Sequence, residues 1–205
     1  YDAQLSVKRE FLSAYMGGDG GKARYCDNGS IGKVKIEDLF FHKAINVKDK
    51  GIEFAEKLKY LFKLFNVNTK NINCTPEYIR KDGTQMFKIE LVFNKSTLNC
   101  KNLLANIGYR YCEAKSKTGM YLGEWMRLHD ETIGKKIKLK KSIRKLYLEG
   151  KTPKEISKLI SGVSYRMINS WLFERKYDKT SVSRSDLLPF NGWLQKAKLG
   201  IEETD

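Results

Sequence analysis

The stretch FLSAYMGGDGG, residues 11–21, joins the end of an apolar helix to a glycine-rich turn. Apolar residues recur at helical spacing over residues 5–16 and predict an α-helix there, with Ser6 as a candidate N-cap. Four glycines around Asp19 predict that the helix ends abruptly. Four helix positions have small side chains, namely Ser13, Ala14, Gly17 and Gly18. Small side chains allow another segment to approach the helix backbone closely.

The segment after this helix alternates between strand and helix patterns. Lys and an apolar residue alternate over residues 33–36, and MFKIELVF at 86–93 places apolar residues on one face and Lys88 and Glu90 on the other. Asn28-Gly29 and the segment 80–83 are hairpin signals. Apolar residues at helical spacing predict a helix over 51–65, and a further helix begins near Thr97.

The predicted order is helix, two strands, helix, two strands, helix, which gives an α+β fold of αββαββα type. An antiparallel sheet with helices on one side and an open basic face on the other satisfies this pattern. We call that open face the saddle, because it is a candidate surface for double-stranded DNA. The alternative is a solvated sheet face that is merely rich in lysine.

From about residue 135 the composition becomes basic and helical, so we predict one domain over 1–134 and a second over 135–205. The segment 138–175 fits a small all-α helix-turn-helix domain. Its expected turns are at Gly150 and at 161–163, and Thr152 to Glu155 forms a capping box. The apolar positions of its three helices are Ile143, Leu146, Tyr147, Ile156, Leu159, Ile160, Ile168, Trp171 and Leu172.

The third of these helices, capped by Ser164, has the side chains expected of a recognition helix. Arginine suits guanine and asparagine suits adenine in the major groove. The outward positions are Tyr165, Arg166, Asn169, Ser170 and Arg175. A three-helix packing module without DNA contact is the alternative, and the basic run 135–141 argues against it because it fits phosphate contacts.

The composition favours a polyanionic partner and an intracellular protein. The net charge is +15 with an isoelectric point near 9.6, and nucleic acid is the usual partner of such a chain. An anionic membrane is the rival, but no apolar run of about eighteen residues is present to span one.

None of the four cysteines forms a Cys-x-x-Cys pair, so we expect buried, reduced thiols and no zinc. The start at Tyr1 suggests a processed product or a fragment of a longer chain.

Residues 12–20, LSAYMGGDG, resemble the LAGLIDADG motif of homing endonucleases. The resemblance implies two such helices that pack against each other, each ending in an acidic residue that binds a divalent metal over the scissile phosphates. Asp19 matches that residue, and the backbone carbonyl of Gly18 is implied as a second metal ligand. The implied cofactor is Mg²⁺, for which Mn²⁺ can substitute. The motif departs from the family pattern at Gly17, where an acidic residue is common.

A second segment, IGYRYCEAK at 107–115, resembles the end of the catalytic repeat in intein-embedded members of this family. A lysine in that segment implies a role near the active site, and Lys115 matches it. Its catalytic role would be to orient the attacking water or to stabilise charge on the phosphate. The alternative is that Lys115 is an ordinary surface lysine. The resemblance covers residues 5–130 and contains one LAGLIDADG motif. One motif supplies half an active site, so the resemblance implies either a homodimer or a second half from the same longer chain.

The prediction is therefore a metal-dependent, site-specific double-strand DNA endonuclease of a mobile element, with catalytic Asp19 and Lys115. The residues expected to contact DNA are Lys22, Arg24, Lys33, Lys35, Lys43, Arg80, Lys88, Tyr165, Arg166, Asn169, Ser170 and Arg175. A catalytically silent transcription regulator or an intron maturase on the same scaffold are the alternatives. The expected location is wherever the host DNA is: a prokaryotic cytoplasm, a nucleus, an organelle or a virus-infected cell.

Overall fold

The computed structural model describes residues 2–27, 33–173 and 187–202 of this mixed α and β protein. The chain divides into two compact units. Unit 1 comprises Tyr1–Met126 and Pro189–Asp205, and unit 2 comprises Arg127–Leu188. No helix in the described part of the chain is long and apolar enough to cross a membrane.

Unit 1 contains two small antiparallel sheets and the helices that cover them. The strands are β1 Ala23–Cys26, β2 Lys33–Ile36, β3 Leu39–Ala44, β4 Thr69–Ile79 and β5 Gln85–Phe93. The helices are α1 Leu5–Gly18, a 3₁₀ turn Ile45–Val47, α2 Lys48–Lys63, α3 Thr97–Asn106, the first part of α4 Glu113–Leu148, and α7 Phe190–Glu202.

The described residues form five strands where four were predicted, because the second strand breaks at Glu37 and Asp38. Strands β1 and β2 pair with each other, and the other three strands follow the order β3-β5-β4. Asp38 Oδ1 accepts a hydrogen bond of 2.8 Å from the backbone N–H of Phe93. A side chain thus satisfies the last donor of β5, and the backbone of the second strand turns away at that point. The predicted Asn28-Gly29 turn lies outside the described residues.

The predicted alternation of the strands is confirmed in β2 and β5. Val34, Ile36, Ile89, Leu91 and Phe93 are buried, whereas Lys33 and Lys35 are exposed. The buried faces pack against helices α2 and α3, where the rings of Phe62 and Phe93 meet edge to face at 5.0 Å. Burial of this apolar side leaves the polar side of the strands directed away from the helices.

The predicted hairpin at 80–83 is confirmed. Gly83 has a positive φ of 83°, which glycine adopts without strain. The Arg80 N–H donates to the Thr84 carbonyl at 2.9 Å, and the Thr84 N–H donates to the Asp82 carboxylate at the same distance. The prediction of Ser6 as N-cap is wrong, since α1 begins at Leu5 after Gln4 and no side chain caps it.

Unit 2 contains the rest of α4, α5 Pro153–Leu159 and α6 Tyr165–Phe173. The capping box of Thr152 and Glu155 is confirmed, and the Ser164 hydroxyl accepts a hydrogen bond from the Met167 N–H. Positive φ values at Gly150 and Gly162 end the helices before the two turns. The buried core consists of Ile143, Ile156, Val163, Ile168 and Trp171.

Two inward positions predicted for this unit are wrong. Leu159 is 61% exposed at the end of α5, and Tyr147 is 39% exposed with its ring edge to face with Phe173. Leu159 is the last residue of α5 and Tyr147 is the penultimate residue of α4, and at both helix ends the apolar stripe is wider than the surface it can bury. Lys140, in the run predicted to contact phosphates, is buried.

The division between the units falls at residues 126 and 127 instead of 134 and 135. Helix α4 continues through the basic run without a break. Residues 189–205 belong to unit 1, although the sequence grouped them with the helix-turn-helix. The reason is aromatic packing, because Phe190 lies against the rings of Tyr25 and Trp125 at 5.4 and 5.9 Å.

Candidate functional site

Asp19 lies at the C-terminal end of α1, where the glycine-rich turn follows. The N–H groups of Asp19 and Gly20 both donate to the Tyr15 carbonyl, at 2.9 and 3.1 Å, and these bonds close the helix. The Asp19 side chain is exposed. Burial, and secondarily the Asp19 charge, raises the pKa of the Tyr15 hydroxyl to about 12. Tyr15 therefore remains neutral beside this carboxylate.

Gly17 lets another segment of the same chain approach the helix. A Cβ atom at Gly17 would lie 1.7 Å from the carbonyl oxygen of Arg110, which leaves no space for any side chain. The Arg110 N–H also donates to the Ser13 carbonyl at 3.0 Å. Any side chain at position 17, including the acidic residue that the resemblance leads one to expect, would collide with this backbone. Gly18 differs, since a Cβ there would have no heavy atom within 4 Å.

Lys115 donates to the carbonyl oxygens at the end of α1. Its Nζ lies 3.0 Å from the Gly17 oxygen, 2.9 Å from the Gly18 oxygen and 2.7 Å from the Gly20 oxygen. The last carbonyls of a helix have no intrahelical donor and sit at the negative end of its dipole. The ammonium group therefore caps α1 with the favourable sign of charge, next to Asp19.

Asp19 and Lys115 line an open cleft of about 700 Å³ on unit 1, beside the open face of the sheets. Seven basic side chains line it: Lys22, Arg24, Lys33, Lys35, Lys88, Lys95 and Lys115. Four carboxylates also line it: Asp19, Glu37, Asp38 and Glu90. The excess of basic groups makes the cleft attractive to a polyanion.

Three of the four carboxylates form ion pairs inside the cleft. Glu37 pairs with Arg24 at 2.7 Å, Glu90 pairs with Lys88 at 3.0 Å, and Asp38 pairs with Lys95. Within the described residues, no ion pair involves Asp19. Asp19 is thus the cleft carboxylate that keeps its charge available for a further cation.

Most of the residues predicted for the saddle and the catalytic site meet in this cleft. Lys43 does not, because it lies on the same side of β3 as Leu39 and Phe41, with its side chain close to Gly51 of α2. Arg80 lies away from the cleft, in the turn between β4 and β5. The sequence prediction missed Lys95 and Phe40, which the fold brings to the cleft from a strand end and from β3.

Unit 2 places the predicted recognition residues on α6. Tyr165 and Arg166 are exposed, and Asn169 and Ser170 are half-buried. The opposite side of the helix holds Ile168 and Trp171 in the core of the unit. Arg175 lies outside the described residues. The N-terminal turn of α6 thus presents polar side chains, as a recognition helix requires.

Asp19 is the cleft carboxylate that is available to a divalent metal. Across the described ranges, no group of three or more His, Cys, Asp or Glu side chains is placed to hold a metal. Mg²⁺ typically binds one or two carboxylates together with water and substrate phosphates. Asp19 offers one exposed carboxylate, whereas the Gly18 carbonyl, the second ligand implied by the resemblance, already accepts a hydrogen bond from the Lys115 ammonium at 2.9 Å. One exposed carboxylate fits the way in which Mg²⁺ is held, with water and substrate phosphates as its other ligands.

Comparison with known proteins yields two curated relatives, both from Methanocaldococcus jannaschii. The tRNA-splicing ligase RtcB is 27% identical over 195 residues, which cover 92% of this chain and 19% of the ligase. The DNA-directed RNA polymerase subunit Rpo1N is 27% identical over 205 residues, which cover 92% of this chain and 14% of the subunit. The chain therefore spans less than a fifth of either relative. No protein-family model matches it, and no solved structure gives a significant match.

Proposed function

We propose that the protein is a site-specific double-strand DNA endonuclease of the LAGLIDADG type, with Mg²⁺ as cofactor. One observation carries this proposal: the unpaired carboxylate of Asp19, at the end of α1, lies in a cleft lined by seven basic side chains. Hydrolysis of a phosphodiester needs a carboxylate beside the backbone phosphates, together with groups that neutralise those phosphates. The cleft combines both.

The chain's own residues would perform three tasks at the phosphate. A divalent ion, when bound, supplies Lewis-acid stabilisation of the charge that develops on the scissile phosphate. Asp19 would hold that ion from one side. Lys115 keeps the end of α1 in place, and exposed lysines such as Lys33 and Lys35 would neutralise flanking phosphates. Unit 2 would extend the recognised site through Arg166 and its neighbours on α6.

A second half-site must come from a second copy of this chain or from another part of a longer chain. One side of α1 is free for such a partner: Val7 and Phe11 are 55% and 42% exposed, and Gly18 is exposed. An apolar groove of about 380 Å³ continues this surface onto α2, where Phe54 and Leu58 line it. An apolar face of this kind suits a second α1 helix, which would bring a second Asp19 to the cleft.

We infer that this chain corresponds to an inserted module of a mobile element. The two relatives have unrelated printed activities, and each matches 92% of this chain over a small part of its own length. A segment that recurs within proteins of different activity is expected of an element that moves between genes. We extend neither the ligase nor the polymerase activity to this chain.

A cleavage assay tests the proposal. The wild type, Asp19→Asn and the control Asp49→Asn are incubated with a duplex library and Mg²⁺, and cut ends are sequenced. Asp49 is an exposed carboxylate on α2, outside the cleft. We expect discrete double-strand cuts by the wild type and the control, and a loss of at least about 100-fold in Asp19→Asn, the usual size for removing a key electrostatic group.

Binding without cutting is the second candidate function, and it is favoured because Asp19 is the one cleft carboxylate without an ion pair among the described residues. A regulator would select a duplex sequence and protect it in a footprint, with no cut ends from any of the three proteins in Mg²⁺ or Mn²⁺. Cleavage by Asp19→Asn at the wild-type rate would remove Asp19 from the metal site.

A further inference from the structure

An aromatic row lies on the open face of the three-stranded sheet. The rings of Phe40 and His42 are 5.8 Å apart, and those of His42 and Tyr78 are 6.0 Å apart. Phe40 and Tyr78 are each 46% exposed. The row runs from β3 to β4 on the side of the sheet that faces away from helix α2, and Phe40 lines the cleft that contains Asp19.

The neighbours of Phe40 are polar and have partners of their own. Lys88 places its Nζ 4.6 Å from the centre of the Phe40 ring and also pairs with Glu90. The His42 imidazole lies against the Glu77 carboxylate. Phe40 itself has neither a donor nor an acceptor. In a cleft lined mainly by charged groups, it offers an exposed apolar surface.

We infer that Phe40 is a specificity-determining residue that contacts the 5-methyl group of a thymine in the major groove. The inference rests on the proposed binding of duplex DNA in this cleft. The thymine methyl is the apolar group that a base pair presents in the major groove, and phenylalanine is a known apolar partner for it. Lys88 beside the ring would meet the adjacent phosphates or acceptor atoms.

The ring geometry favours a methyl contact over the stacking of unpaired bases. The planes of Phe40 and His42 make an angle of 76°, and those of His42 and Tyr78 make an angle of 58°. Successive bases stack on flat aromatic surfaces, so rings inclined in this way do not form a continuous platform. The Lys88 ammonium also lies over the Phe40 ring, which leaves less of its surface for a base.

The experiment compares thymine with uracil, which lacks only the methyl group. A duplex selected by the wild type is prepared with each thymine replaced in turn by uracil, and the Kd is measured for each duplex. We expect one position, or a pair in a symmetric site, at which the wild type loses about three- to fivefold in affinity, the effect of one buried methyl group. Phe40→Ala should bind both duplexes equally, and the preference should return in part in Phe40→Leu.

Two controls separate this contact from general effects. Tyr60→Ala removes a 51% exposed ring on α2, outside the cleft, and should keep the full preference. Lys88→Ala should weaken binding to the thymine and uracil duplexes by the same factor. Phe40→Leu retains an apolar side chain, so it also serves if Phe40→Ala does not fold.

Each other result overturns the inference in a recognisable way. Selective duplex binding without any thymine preference would remove the methyl contact and leave the proposed function intact. A preference that survives in both Phe40 variants would assign it to another residue. Tighter binding to single strands would favour base stacking, and the absence of any selected duplex would overturn the inference together with the proposed function.

Discussion

Lys115 has a structural role that does not depend on any reaction. Its ammonium group donates to three carbonyl oxygens within 3.0 Å and lies 3.5 Å from a fourth, that of Met16. These contacts fix the turn in which Asp19 lies. The sequence predicted that Lys115 acts on water or phosphate, and that role remains a prediction. The contacts of Lys115 make it a positioning residue, which holds the turn that contains Asp19.

Replacement of Lys115 by methionine should therefore destabilise the protein in the absence of DNA. Hydrogen bonds from a charged group contribute about 1.5–3 kcal/mol, so we expect the free energy of unfolding to fall by about this amount. Chemical denaturation measures the change. Lys117→Met, at an exposed position two residues along α4, is the matched control and should have the wild-type stability.

Chemical rescue distinguishes the cap from a simple loss of packing. In Lys115→Ala, propylammonium ions should restore part of the lost stability, because they can donate to the same carbonyls. Tetramethylammonium at equal ionic strength cannot donate a hydrogen bond and should restore none. Unchanged stability in Lys115→Met would contradict the cap and leave the phosphate role as the better explanation.

Cleft residues were predictable from the sequence when the pattern that identifies them lies within a few residues along the chain. The glycine-rich turn identified Asp19, and strand alternation placed Lys33, Lys35 and Lys88 on the polar side. Lys43 could not be placed in this way, because the break at Glu37 and Asp38 separates β3 from the alternation of β2. That break depends on a hydrogen bond between Asp38 and Phe93, 55 residues apart, which no local pattern indicates.

Helix α1 has two different small-residue faces. Gly17 packs against the Arg110 carbonyl of its own chain, whereas Gly18 faces open space. The sequence treated both as positions for a second helix. Gly17 is occupied by an internal contact, whereas Gly18 and Phe11 are exposed.

Alanine substitution at these adjacent glycines should give opposite results. Gly17→Ala should lower the free energy of unfolding by about 1–3 kcal/mol or more, because the new methyl group collides with backbone atoms. Gly18→Ala should leave the stability unchanged or raise it by up to about 1 kcal/mol, since alanine favours the helix. Thermal unfolding of both variants measures this difference.

Gly18→Ala should instead weaken the pairing of two half-sites. In sedimentation experiments with the selected duplex, we expect fewer complexes that contain two half-sites. The cleavage rate should fall as well. Full pairing in both Gly18→Ala and Phe11→Asp would show that the partner helix does not use this face of α1.

Helix α6 should determine base preference at the flank of the recognised site. Arg166 is exposed on the side of α6 opposite its buried residues, so Arg166→Ala should cost about 1–3 kcal/mol in binding and relax the preference at one base pair. Selection of duplexes by the variant measures the preference. An unchanged selected sequence would remove α6 from base recognition.

The helix boundaries of unit 2 were predictable because their signals are local. The capping box of Thr152 and Glu155 and the glycines at 150 and 162 lie within a few residues of the helix ends they determine. The assignment of the C-terminal tail was not predictable in the same way. The packing of Phe190 on Tyr25 and Trp125 joins residues far apart in sequence, so composition gave no sign of it.

The charge of the whole chain makes a quantitative prediction about binding. With a net charge of +15, the protein should bind DNA with a strong dependence on salt, but that dependence alone does not locate the contacts. The logarithm of the binding constant falls with the logarithm of salt concentration by about 0.9 for each phosphate neutralised. The change in this slope when specific lysines are replaced therefore gives the number of phosphates that those lysines contact.

The double variant Lys33→Gln with Lys35→Gln should reduce this slope by about 1.8, because both exposed side chains line the cleft. The matched control, Lys50→Gln with Lys63→Gln, removes the same charge from exposed positions on α2 that lie outside the cleft, and should change the slope far less. Kd values for one selected duplex over a range of salt concentrations measure both slopes. Equal reductions in the two variants would mean that the net charge acts over the whole surface, and the cleft would lose its assignment as the phosphate-binding site. A reduction confined to the cleft variant would instead place the DNA backbone beside Asp19.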